Sequence, residues 1–296
     1  MRYLILILIP ILLLAWMPGC AVQESPDLAA TTLPVYEFTT WLCQGTGLTV
    51  GRIVTESVSC LHDYTLRADQ MRTIQGADAV VISGAGLEDF MEDALHGAKE
   101  IIDASQGLSL LDGQHHHHAD AHEDEHRGHV HEEDPHIWLS PENAKIMSRN
   151  ICHRLTELYP HHATLFAANL SALENELDQL QAYGENALAE LSCRKLVTFH
   201  DGFSYFAESF GLTILAAVEE ESGSEASAKQ LIQLAELVDE HNIPSVFTEV
   251  NGSVSAADIL SNETGVKVYT LDMAMAGDSY FSAMKYNIDQ IREAMQ

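Results

Sequence analysis

From His162 to Cys193 the chain carries one long helical pattern, with Phe166, Leu170, Leu173, Leu177 and Leu180 spaced four and three residues apart on a single apolar stripe. A helix of about 30 residues spans roughly 45 Å at 1.5 Å per residue. That is more than a small domain needs, so the pattern predicts a helix connecting two lobes. Gly184 weakens it by about 1 kcal/mol relative to alanine, but the pattern resumes at Ala187, Leu188 and Leu191. The expected organisation is a first lobe over residues 32–161, the linking helix over 162–193 and a second lobe over 194–296. With 296 residues and 46% hydrophobic content, there is enough apolar material for a core in each lobe.

Both flanks alternate strand and helix signals. On the first side Gly47 to Val58 holds a β-branched run, and Ala79 to Ser83 is a short apolar strand broken by Gly84 and Gly86 before a helix through Leu87, Phe90, Met91 and Leu95. Gly84-Ala85-Gly86 lacks the third glycine of a dinucleotide loop. Ser140 as N-cap and Pro141 at the first helical position start a helix that ends near Pro160. On the second side the pattern predicts strands ending at Phe199 and over Thr213–Val218, Pro244–Thr248 and Val266–Thr270. Helices are expected over Tyr205–Phe210, after the capping box Ser227 to Gln230, and over Phe281–Met295. The fold class is α/β: two lobes, each with a mostly parallel sheet flanked by helices, joined by one long rigid helix.

The N-terminus has one charge, Arg2, then an apolar run from Tyr3 to Met17 ending in Pro18-Gly19-Cys20. A spanning helix needs roughly 20 apolar residues, so residues 1–20 read as a signal peptide, and Cys20 after Gly19 as a lipobox-like lipidation site. Residues 21–31 are then a tether. The mature chain is expected to be exported and lipid-anchored, at the outer face of the cytoplasmic membrane or in the periplasm. A formal charge of -29 excludes nucleic acid and anionic lipid surfaces as natural partners. Four cysteines remain after Cys20, and an oxidising compartment permits disulfides. Cys43 with Cys60 is the expected pair; Cys152 and Cys193 flank the long helix, as a second pair or as buried free thiols.

Residues 114 to 134 hold eight histidines (His115, His116, His117, His118, His122, His126, His129 and His131) among seven carboxylates. So polar a segment cannot offset its ordering entropy and reads as a disordered loop that takes up metal weakly.

His200 follows the apolar run Lys195 to Phe199, and in open α/β sheets ligands bind outside the carboxyl ends of strands. His62, His136 and Asp278 sit in comparable contexts. Three imidazoles and a carboxylate fill the four-coordinate shell that zinc prefers. His96, His153, His161, His162 and His241, on helices or at their ends, read as ordinary surface histidines.

Five segments, in order along nearly the whole mature chain, resemble the metal-binding substrate-binding proteins of ABC transporters for zinc and manganese. They are Leu61 to Leu66, Ala77 to Glu88, Asp134 to Pro141, Thr198 to Phe206, and Gly277 to Phe281 followed by Met284 and Asn287. The resemblance implies a metal site in the interlobe cleft, with His62 and His136 from the first lobe and His200 and Asp278 from the second. It also implies Zn2+ as the transported ligand, an ABC permease and its ATPase as partners, and a monomer without enzyme activity. Manganese members typically carry glutamate at the third position, so His200 points to zinc, as does a histidine-rich loop ahead of the second ligand. Two departures stand out. Leu61 replaces the usual proline before the first histidine, and Glu225-Ala226-Ser227 replaces Glu-Pro-Ser. The alternatives are a manganese or iron receptor, an extracytoplasmic metal buffer built on the loop, and a zinc enzyme; Asp278 argues against the last by filling the position a catalytic water needs.

Overall fold

The computed structural model describes residues 25–56, 61, 64–113, 133–219, 227–250, 252 and 255–296. The first lobe comprises β1 (Leu28–Ala30), α1 (Leu33–Leu42), β2 (Val50–Arg52), α2 (Ala68–Gly76), β3 (Ala79–Ile82), α3 (Glu92–Leu95), β4 (Ile101–Asp103) and α4 (Pro141–Leu158). After α5 (Ala163–Ala187) come β5 (Lys195–His200), α6 (Ser204–Ser209), β6 (Thr213–Glu219) and α7 (Ala228–His241), then β7 (Ser245–Glu249), α8 (Ser255–Thr264), β8 (Lys267–Leu271) and α9 (Tyr280–Met295). The sheet orders are β2-β1-β3-β4 and β6-β5-β7-β8, with every pairing parallel.

Each lobe therefore places its first strand between its second and third, and the chain departs from that strand in opposite directions. Beside the carboxyl end of such a strand lies the crevice where open α/β sheets bind ligands. The first lobe fills its crevice with a carboxylate. Gly84, Ala85 and Gly86 all take positive φ (81, 55 and 83°) and turn the chain so that Glu88 folds back under β1 and β3. Its carboxylate accepts from the Thr31 hydroxyl (2.6 Å) and from the amides of Ser83 (2.8 Å) and Gly84 (3.0 Å). In the second lobe the corresponding strand, β5, ends in His200.

The tether expected over 21–31 gives way to β1 by residue 28. Leu28, Ala29 and Ala30 are fully buried between β2 and β3, too short a run to show a periodicity. The long helix is 25 residues, about 37 Å, and stops at Ala187, short of Cys193. Arg194 turns back there and its guanidinium takes the Leu188 and Ala189 carbonyls (2.7 and 3.2 Å). Gly184 has a packing reason: a Cβ there would lie 2.2 Å from the Phe210 ring. Ser140 and Ser227 cap α4 and α7 as expected.

α5 is bonded to both lobes. Asn169 donates to the carbonyls of Leu42, which ends α1, and of Gln44 just beyond it (2.8 and 2.9 Å), Gln181 to Ser209 at the end of α6 (3.1 Å), and Tyr183 to Asp289 on α9 (2.7 Å). One apolar cluster runs without a break from Leu28 and Val80 through Phe166 and Leu177 to Phe206 and Met284. Cys43, Cys152 and Cys193 are free thiols, and Cys60 lies outside the described residues. The expected Cys43 disulfide is thus replaced by a reduced side chain at the end of α1, whose thiol is pushed up to about 12 by burial, with Asp27 adding to the shift.

Candidate metal centre

β5 brings His200 to the centre of its sheet edge because Leu196, Val197, Thr198 and Phe199 are all buried and flanked by β6 and β7. His136 arrives from the other lobe. It follows Asp134-Pro135 and leads into a turn of 3-10 helix, Ile137–Leu139, whose three side chains are buried. Trp138 fixes that turn to the second lobe: its indole donates to the Met273 carbonyl (2.7 Å), and its own carbonyl accepts from the Tyr280 hydroxyl (2.8 Å).

The two imidazoles meet with centroids 5.3 Å apart and planes at 87°. Two imidazoles pointing at one tetrahedral ion at 2.0–2.1 Å would have ring centres roughly 5 Å apart, so the pair stands at a two-ligand separation. Gly202 makes this approach possible. A Cβ on it would lie 2.9 Å from His200 Cδ2, 3.1 Å from His136 Cε1 and 2.7 Å from Met273 Cε.

The Asp134 carboxylate holds His136 twice, at Nδ1 (2.8 Å) and at the backbone amide (2.9 Å). Burial raises the Asp134 pKa, but the charge of His136 and its two hydrogen bonds outweigh burial and hold it below the usual carboxylate range. An ionised Asp134 accepts Nδ1–H and leaves the Nε2 lone pair for a metal, the arrangement that outer carboxylates impose on ligand histidines. Beside His200 stands Glu249, the last residue of β7, with Oε1 3.8 Å from His200 Nε2 and both side chains buried. Sequence reasoning missed the roles of Asp134, Gly202 and Glu249. Only Asp134, two residues before His136 in Asp-Pro-His, carried a readable signal.

Asp278 is exposed, between Gly277 (φ 92°) and the α9 N-cap Ser279. First-lobe residues hold this turn: Arg52 donates to the Gly277 carbonyl (2.8 Å), and Glu37 accepts from the Ser279 hydroxyl (3.2 Å) and the Tyr280 amide (2.5 Å). His62, the loop histidines from His115 to His131 and Cys20 lie outside the described residues. Among the described residues no group of three His, Cys, Asp or Glu stands at metal-holding distance. The structure therefore brings His136 and His200 together and leaves Asp278 apart from them. Also among the described residues, no helix is long and apolar enough to cross a membrane.

The model of the family described as zinc-uptake complex component A, periplasmic (ZnuA), matches residues 28–294. The chain belongs to this family. Among similar proteins, the zinc-binding lipoprotein AdcA of Streptococcus pneumoniae strain R6 is 32% identical over 295 residues, covering 93% of this chain and 58% of its own length. The chain thus spans little more than half of that relative. A crystal structure of ZnuA matches with a TM-score of 0.79 at 28% identity, covering 92% of this chain and 100% of the other. The Zn(II)-bound ZnuA-like domain of S. pneumoniae AdcA matches with a TM-score of 0.74 at 27% identity, covering 92% and 99%. The two parallel four-stranded sheets and the long helix are the architecture of this family.

Proposed function

We propose that the chain is an extracytoplasmic receptor that binds Zn2+ tightly and delivers it to an ABC permease and its ATPase. The observation that supports this most is the meeting of two buried imidazoles, His136 and His200, from opposite lobes at a two-ligand separation. His62 and Asp278 complete the shell on metal binding, Asp278 by swinging in from its exposed position on a turn that is itself held. The relatives named as zinc-binding support Zn2+ as the ligand, and nitrogen at the His200 position suits zinc better than manganese. The histidines of the 114–132 stretch add weak accessory sites. Cys20 carries the lipid anchor, the protein acts as a monomer, and it turns over no substrate.

In this reading zinc crosslinks the lobes, and the permease reads the resulting difference in shape or rigidity. Dialysis of the full chain against an equimolar mixture of zinc and manganese, followed by elemental analysis, tests it. One tightly held zinc per chain and no retained manganese is the expected result; retained manganese, or neither metal, overturns the proposal.

A further inference from the structure

The second lobe reaches the first-lobe side of the metal centre through Tyr205, on the helix that follows His200. Its hydroxyl accepts the Leu111 amide (2.9 Å) and donates to the Asp134 carbonyl (3.0 Å). Leu111 and Asp134 are themselves joined, Asp134 N–H to Leu111 O at 2.8 Å, and their neighbours Asp112 and Glu133 form an antiparallel bridge. The carboxylate of the same Asp134 grips His136 at two points.

We propose that Tyr205 is a positioning residue for His136, fixing the Asp134 main chain from the second lobe so that the Asp134 carboxylate holds the His136 ring in one orientation and one tautomer. The inference rests on His136 being a zinc ligand. Only Pro135 separates Asp134 from His136, and its fixed φ makes the link stiff, so a displacement of the Asp134 backbone reaches the ring. Packing alone does not call for a tyrosine here. Phe206 and Phe210 supply aromatic bulk on and beside α6 without a polar atom, whereas a buried hydroxyl is costly unless bonded. Burial pushes the Tyr205 phenol up to about 12, so it stays a neutral donor at physiological pH. The hydroxyl thus anchors the His136 segment to the second lobe on the Asp134 side, as the Trp138 bonds to Met273 and Tyr280 do on the other.

The test uses the full chain, with zinc affinity from competition against a chromophoric chelator and the His136 tautomer from 15N shifts of the metal-free protein. Tyr205→Phe should weaken zinc about tenfold, the lower end of the loss seen when outer partners of ligand histidines are removed, and should turn a single His136 tautomer into a mixture. Tyr183→Phe, which removes the hydroxyl bonded to Asp289 on α9, should change neither. Because Tyr205 acts through Asp134, Tyr205→Phe combined with Asp134→Asn should bind zinc no more weakly than Asp134→Asn alone. A lower melting temperature in Tyr205→Phe with unchanged zinc affinity and tautomer would make the hydroxyl merely structural and overturn the inference. Losses that multiply in the double variant would also overturn it. Were His136→Ala to bind zinc like the parent, the ligand assignment itself would fall, a result distinct from a silent Tyr205→Phe beside a zinc-deficient His136→Ala.

Discussion

The ring of His136 stands edge-on to that of His200, centroids 5.3 Å apart, although one residue belongs to the first lobe and the other ends a second-lobe strand. The gap between them is set by the absence of a side chain at Gly202. Gly202→Ala should therefore weaken zinc binding, on the order of tenfold, because a methyl group there meets both imidazoles and the closely packed surroundings yield little. Calorimetric titration of the two proteins compares them, and equal affinities would mean that the rings part without consequence.

Replacing His200 tests the metal assignment. His200→Ala should weaken zinc by at least the 10- to 100-fold that loss of an outer partner causes. His200→Glu exchanges a nitrogen for a hard oxygen and should narrow the ratio of zinc to manganese affinity without reversing it, since zinc stays ahead in the Irving-Williams order. If both variants bind zinc like the parent, His200 is not a ligand.

The segment 114–132 enters and leaves the fold at one stapled point, where Asp112 bridges Glu133 and Tyr205 spans Leu111 and Asp134. Its replacement by a short flexible linker should lower the number of zinc ions bound and leave the tight site at parental affinity. Loss of the tight site would show that a loop histidine is a primary ligand.

Glu88 gives the stability a pH dependence of known sign. Burial raises its pKa from 4.5 to about 7, against the hydrogen bonds from Thr31, Ser83 and Gly84. The folded state thus holds a proton that the unfolded state has released, so the contribution is fully present below pH 4.5 and is lost as pH rises through 7. It amounts to about 3 kcal/mol at most. In denaturant titrations from pH 4.5 to 7.5, the stability difference between the parent and Glu88→Gln should shift against the parent as pH rises; a constant difference would mean that Glu88 does not titrate there.

The apolar cluster that runs unbroken through both lobes and the bonds from α5 to each leave little room for rigid-body motion. Solution scattering should show a change in radius of gyration below about 1 Å on zinc addition. A larger closure would mean that the interlobe contacts break.

The sequence by itself determined the α/β class, the strands that end at the second-lobe site, the caps at Ser140 and Ser227, and the long helix, because each follows from local periodicity or a local side-chain bond. It also carried the candidates His136 and His200, one in an Asp-Pro-His motif and the other at the end of an apolar run. It failed where the signal was short: β1 is only three residues, Leu28, Ala29 and Ala30, and its burial comes from strands more than 20 residues away. It extended α5 past Ala187, since the carbonyls that end the helix are taken by an arginine whose return no periodicity announces. Only the tertiary structure decided that Gly202 opens the space for two imidazoles, that Glu249 lies beside His200, and that Tyr205 joins Leu111 to Asp134. Apart from Gly202 against its chain neighbour His200, those are contacts between residues 49 to 94 positions apart. Such proximity follows from strand order and lobe packing, which no local pattern encodes.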